Sequence, residues 1–199
     1  MADNKALVTN ADLDVLWRDA RTQNGWLPAP VDDAKLHQIY DLVKMAPTSF
    51  NCQPMRMIFI RSQAQKDKLK QTLAPSNVDK AMTAPVVAIL GYDLAFHEHL
   101  PRLFPHTDAK SYFTGKPAHI ETTAFRNASM QAGYFVLAAR AVGLDCGPMS
   151  GFDNAQVDAA FFAGTTVKSN ILCALGHGDP AKIFPRSPRF GFDEICRIV

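Results

Sequence analysis

Ala46-Pro47-Thr48-Ser49-Phe50-Asn51-Cys52-Gln53-Pro54-Met55-Arg56 sets two prolines and a run of hydroxyl and amide side chains between a helical pattern and an apolar, β-rich run. Helix breakers leave main-chain N–H and C=O groups outside any ladder, and such groups bond to water, side chains or a ligand. Thr48, Ser49, Asn51 and Gln53 add donors and acceptors suited to a flat, hydrogen-bonding ligand. An ordinary helix-to-strand turn uses the same residue types, so composition leaves both readings open. A second loop, Leu144 to Phe152, contains Gly147-Pro148-Met149-Ser150-Gly151 and again offers free backbone groups. Arg21 beside Thr22, Lys80 in the middle of the chain, and Arg186 with Arg189 near its end are the cations that could converge on one phosphate. Arginine offers a planar fork for that purpose and threonine a hydroxyl. Each cation alone also reads as an ordinary surface charge.

Other chemistries fail on spacing. His97-Glu98-His99 is not a His-Glu-x-x-His zinc motif, because residues two apart on a helix do not share a face. Gly115-Lys116 runs into Pro117 with no Ser or Thr for magnesium, so no P-loop is present. Gly176-His177-Gly178 lacks the third glycine of a dinucleotide fingerprint and follows a late strand. No Gly-x-Ser-x-Gly elbow occurs. Cys52 sits in a polar loop without a positioned histidine, a weak basis for a nucleophile.

The elements that must position these residues follow from periodicity. Asn10 reads as the cap of a helix with Leu13, Leu16, Trp17 and Ala20 on one face, and Asn24-Gly25 as a turn. A second helix, from about Asp32 to Met45, carries the stripe Leu36, Ile39, Tyr40 and Val43. Met57–Ile60 reads as a buried strand, and Gln63–Leu73 as a basic helix whose three lysines form a solvated face. A short helix begins at Asn77, and Val86–Leu90, apolar throughout, is a central strand buried on both sides. Tyr92–Gly115 is the least regular segment, either a mobile covering over a site or a surface excursion. From Pro117 to Val142 runs the longest helical pattern, roughly 40 Å at 1.5 Å per residue. Gly143 suits its C′ position, and its second half, Met130 to Val142, is apolar nearly all round and so buried. Asp153 caps a short helix, and Ile171–Leu175 is another buried strand. One long helix among separated strands points to α+β.

The 199 residues are read as one domain, 1–199, with 47% apolar and 20% charged residues, enough for a real core. A net charge of +2 without a basic run argues against nucleic acid, and no apolar run reaches membrane-spanning length. The start MADNKALVTNADLD has no secretory pattern, and the four cysteines form no framework, so they read as reduced thiols in a cytoplasmic protein.

Taken in order, Arg21-Thr22, Pro47-Thr48-Ser49-x-Asn51-x-Gln53-Pro54, Asn77-x-x-Lys80, Phe125-Arg126-Asn127-Ala128-Ser129-Met130-Gln131, Gly143-Leu144, Gly147–Phe152 and the Arg186/Arg189 tail resemble the FMN-dependent nitroreductase family. The likeness is strongest to its short subgroup containing malonic semialdehyde reductase of uracil catabolism. It runs from near residue 20 to the C-terminus. The resemblance implies a three-layer α/β/α sandwich of the α+β class, with a mixed central sheet and a long central helix at a homodimer interface. It implies two FMN sites at that interface. Arg21 and Thr22, with Arg186 or Arg189, would hold the phosphate, Asn77 and Lys80 would face the pyrimidine side, and Asn24 would also contact the cofactor. Pro148, Met149, Ser150 and Gly151 would lie against the ring, while Pro47, Thr48, Ser49 and Asn51 would arrive from the partner. The last ten residues would pack across onto the partner.

The activity so implied is ping-pong hydride transfer from NADH or NADPH through flavin N5 to a small acceptor, either malonic semialdehyde (3-oxopropanoate) or nitroaromatics and quinones. The alternative is a non-catalytic flavin-binding or storage dimer of the same fold. No side chain is required as an obligatory acid, and no metal is implied. Three positions depart from the family pattern: Asn24 where a second basic residue is common, Met55 where Trp is common, and Ser150 where other members carry Glu.

Overall fold

The computed structural model describes residues 7–199; residues 1–6, the start of the polar N-terminal stretch, lie outside the described residues. Helix α1 (Asn10–Leu13) runs into a π-helical turn, Asp14–Arg18. Then come α2 (Asp33–Val43), β1 (Met55–Ile60), α3 (Gln63–Lys70), α4 (Pro75–Thr83) and β2 (Val86–Asp93). The second half contains α5 (Leu100–Leu103), α6 (Pro117–Ala141), β3 (Asp145–Met149), α7 (Asn154–Phe161), β4 (Val167–Gly176) and α8 (Phe192–Ile195).

Strand β2 explains the layering. Its alternate residues Val86, Ala88 and Leu90 face a core shared with α2 and α6, built on Ile39, Val43, Ala132 and Phe135. Val87 and Ile89 face the opposite core, shared with α3, α4 and α7 through Leu69, Ala81 and Val157. A strand buried on both faces must be apolar throughout, as this one is. The result is an α+β sandwich of three layers, helices on either side of one sheet.

The sheet has the order β1-β2-β4-β3 and is antiparallel at every strand pair, which corrects the expected mixed sheet. The cause is β4, which returns between β2 and β3 and runs against both. The parallel contact among the described residues is a single bridge, from Thr22 to Cys146 of β3.

Several local expectations are corrected. Thr9 rather than Asn10 caps α1: its hydroxyl accepts from the Asp12 N–H at 3.1 Å, and Asp12 accepts from the Thr9 N–H at 2.8 Å. Strand β1 is an edge strand, half-buried along its middle, because among the described residues nothing pairs with its outer side. Helix α4 begins at Pro75, where a missing N–H costs nothing in the first turn. The lysines of α3 do not form one solvated face: Lys66 is buried and donates to the Ala84 carbonyl, and burial pulls its ammonium below the ordinary value. Most of the Leu144–Phe152 loop is strand β3.

Helix α6 matches its expected length and ends at Gly143 with φ +80°. It is not buried all round in one chain. Ala132, Phe135, Ala138 and Ala139 face the core, whereas Phe125 and Met130 are exposed, as are Tyr40 of α2 and Trp17.

The segment after β2 is more ordered than its composition suggests. Phe96, Leu100, Ala109 and Phe113 are fully buried with Cys52 and Ala124 in a third core. Phe50 packs into it, with ring centroids 5.4 Å from Phe104, 5.7 Å from Tyr112 and 6.3 Å from Phe113. Tyr92–Gly115 therefore buttresses the 46–54 loop.

Asp93 ties this region to the sheet. It accepts from Arg56 at 2.6 Å, from the Thr166 hydroxyl at 2.5 Å and from the Ala95 N–H at 2.8 Å. Burial alone would raise its carboxyl, but the Thr166, Ala95 and Arg56 interactions outweigh it and hold the group below the ordinary 3.8. A depressed folded value means the carboxylate's contribution is complete above the unfolded pKa and is lost as pH falls through the folded one. We expect Asp93→Asn to cost about 1–3 kcal/mol at neutral pH. Its stability should then decline less steeply than the wild type's below about pH 4, measured by urea melts across the acid range.

Candidate functional site

Loop strain marks the first part of the site. Among the described residues, Phe50 (φ 52°), Asn51 (φ 49°) and Gln53 (φ 38°) are the non-glycine residues with positive φ, three within four positions. Such backbone persists where surrounding contacts over-determine it, and it clusters at binding segments. The contacts are present: the Ser49 N–H donates to Asn127 Oδ1 at 2.9 Å, and the Met55 N–H to Gln131 Oε1 at 3.0 Å. Asn51 Nδ2 donates to the Leu103 carbonyl at 2.9 Å, and Tyr134 to the Pro47 carbonyl at 3.3 Å. Helix α6 thus supplies the loop's anchors, while Pro47, Ser49 and Asn51 stay exposed and Thr48 half-exposed. Cys52 points inward and is buried, and burial pushes its thiol up to about 11 against the partial counter-effect of Thr48. A thiol held protonated in that way is no nucleophile at neutral pH.

The second part is a cleft of about 500 Å³ into which Arg21, Thr22, Asn24, Arg186 and Arg189 all open, as the sequence suggests. Two distant pieces of chain build it by holding each other. Arg21 donates to the Phe184 carbonyl, and Arg186 donates to the Arg18 and Ala20 carbonyls, the former at 2.6 Å. Arg140 of α6 also lines the cleft, a residue that sequence reasoning missed. Its only signal was a lone charge near the end of an apolar helix, which the helix dipole explains without a ligand.

The third part lies along β3. Gln23 joins it to the cleft: its N–H donates to the Cys146 carbonyl at 2.9 Å, beside the Thr22 bridge. A Cβ on Gly147 would stand 2.8 Å from the Gln23 carbonyl and 3.0 Å from Lys80 Cδ, so backbone, lysine and strand meet at a position open only to glycine. Burial pulls the Lys80 ammonium below its ordinary value. Asn77 Nδ2 and the Ala74 N–H both donate to the Gly151 carbonyl at 3.0 Å, seating the turn after β3. Met149 is buried in the core, Pro148 and Gly151 are half-exposed and Ser150 is exposed, so the shelf presents backbone more than side chain.

Arg21, Thr22, Asn24, Arg186 and Arg189 thus share one cleft, and Gln23 ties that cleft to the β3 segment against which Lys80 and Asn77 pack. Pro47–Asn51 do not join it within one chain. The loop is anchored at Asn127 and the cleft meets α6 at Arg140, thirteen residues and about 20 Å apart along the helix.

The cleft's chemistry fits a phosphate. It has four guanidiniums and no Asp or Glu among its lining residues. Among the described residues, none of those four arginines forms an ion pair, and their hydrogen bonds go to carbonyls. At the junction with the shelf, Gln23 Oε1 is buried with no hydrogen-bond partner. Among the described residues no group of three or more His, Cys, Asp or Glu is placed to hold a metal ion, and no helix is long and apolar enough to cross a membrane. All four cysteines are free.

Comparison with known proteins adds the following. A match to the nitroreductase family covers residues 18–179. A Burkholderia lata protein named as an NADH dehydrogenase/NAD(P)H nitroreductase is 60% identical over 191 residues, covering 96% of this chain and 98% of its own. HadB of Ralstonia pickettii, given the same description, is 58% identical over 195 residues, covering 96% and 100%. Among solved structures, a nitroreductase from Exiguobacterium sibiricum in complex with FMN superposes with a TM-score of 0.83 at 18% identity, covering 98% of this chain and all of the other.

Proposed function

The chain belongs to the nitroreductase family, and from that premise we propose that it is an FMN-dependent NAD(P)H oxidoreductase working as a homodimer. The observation that carries this reading is the arginine cleft and its tie through Gln23 to the glycine shelf over Lys80. A phosphate at one end and a flat ring at the other would match that surface. Arg21, Thr22, Arg186 and Arg189 would hold the phosphate, with Asn24 beside them. The β3 backbone from Pro148 to Gly151 would support the ring. When bound, FMN supplies the hydride chemistry, accepting from NADH or NADPH and passing on to an acceptor. Lys80 places a partly desolvated cation under the shelf, where it would favour a negatively charged ring.

The homodimer accounts for what one chain leaves open. The strained, exposed Pro47–Asn51 loop is distant from the cleft of its own chain, so we assign it to the cleft of a second copy. Exposed Phe125 and Met130 on α6, together with the exposed apolar tail Phe190, Phe192, Ile195 and Ile198, supply the apolar surface such an interface needs.

For the acceptor, we propose a small aldehyde such as 3-oxopropanoate ahead of nitroaromatics and quinones, on the resemblance to the semialdehyde-reductase subgroup. The test is anaerobic mixing of FMN-loaded protein with NADH and with NADPH, followed by 3-oxopropanoate, a nitrofuran or a quinone. Rapid bleaching near 450 nm and reoxidation fastest with the aldehyde are expected. Bound flavin that neither nucleotide bleaches would instead make this a flavin-binding dimer without catalysis. A protein that sediments as a monomer yet turns over would remove the second copy's loop from the site.

A further inference from the structure

Three of the four cleft arginines belong to the two chain segments that latch each other through main-chain carbonyls. Arg140 differs, because it projects from the last turn of α6, the longest helix. It is half-buried, and one Nη1–H donates to the Leu16 carbonyl at 2.8 Å. A guanidinium has five N–H donors, so most of its fork is uncommitted. It faces the same void as Arg21, Arg186 and Arg189, with no carboxylate on the lining. Four like charges around one void repel one another, and a multiply charged anion is the group that reverses that cost. Asn24, on the same lining, brings no charge of its own.

We propose that Arg140 is a direct ligand of the cofactor's phosphate, held by α6 independently of the two latched segments that carry the other arginines. The inference rests on the flavin reading above and adds a residue to it. Because its Cα is set by α6 rather than by the tail, Arg140 would give the cleft its selectivity for a phosphorylated over an unphosphorylated flavin. It would do so without touching the ring.

The test compares FMN with riboflavin, which share the ring and differ by the phosphate, titrated into apoprotein and followed by flavin fluorescence. Arg140→Met should weaken FMN about ten- to a hundredfold, the range of one charge-assisted hydrogen bond, and leave riboflavin unchanged. It should also flatten the salt dependence of FMN binding, because one cation fewer meets the anion. Arg140→Gln keeps a donor for the Leu16 carbonyl without the charge, and should show the same FMN-specific loss. Equal weakening of both flavins would mean that Arg140 only braces the N-terminal segment, and unchanged FMN affinity in either variant would remove it from the site; both overturn the proposal. Should Arg140→Met fail to fold, the Arg140→Gln titration decides alone. Wild-type protein that prefers FMN no more than riboflavin would defeat the flavin-phosphate reading itself, a separate outcome.

Discussion

The Arg21→Ala variant is expected to bind FMN about thirtyfold more weakly than the wild type, within the range for losing a hydrogen bond to a charged group. Two losses combine in it. The guanidinium leaves the anionic end of the cofactor, and the latch to the Phe184 carbonyl goes with it, loosening the segment that carries Arg186 and Arg189. Arg186→Ala acts on the same latch from the other side, through the Arg18 and Ala20 carbonyls. The double variant should therefore lose less than the product of the single effects, since contacts that share partners are not independent. Titration of apoprotein with FMN checks this, and an Arg21→Ala protein with wild-type affinity would take Arg21 out of the site.

Gly147→Val is expected to give protein that purifies without flavin and melts earlier by about 1–3 kcal/mol of stability. Gly147 is buried on β3 opposite Ala174, and its missing side chain is the space where Gln23 and Lys80 meet. Lys80 could swing aside, being the end of a flexible chain. The Gln23 carbonyl could not, because its own N–H is fixed to Cys146. A branched side chain would lift the 21–24 strip off the strand and carry Arg21, Thr22 and Asn24 out of line with the shelf. The measurement is flavin absorbance per chain together with a thermal melt. Full flavin occupancy in Gly147→Val would show that the shelf and cleft are not one site.

Features set by near neighbours are legible in the sequence. The length of α6 and its glycine stop, the double burial of β2 and the Asp153 cap depend on neighbours a few residues away, and spacing reports those directly. Features set by a distant partner are not legible there. Lys66 looks solvated by its helical neighbours, but the carbonyls at the end of α4 lie within its reach. Tyr92–Gly115 looked irregular because its order comes from aromatic packing around Phe96 and Phe113, which has no sequence period. The sheet's sense turned on β4 inserting between β2 and β3, a choice no strand pattern encodes.

For the candidate site the division is similar. By itself the sequence determined the kinds of group available: a polar, proline-bounded loop, a glycine-rich segment, and cations near residues 21, 80 and 186–189. Residue type and local spacing suffice for that, because chemistry belongs to side chains. Only the tertiary structure decided which of them share a surface. It put Arg140 in one cleft with Arg21 although 119 positions separate them, hung Gln23 between cleft and shelf, and held Pro47–Asn51 away from both. The reason is that convergence is a property of packing: helix α6 and the antiparallel sheet fix those distances through contacts between residues far apart in the chain.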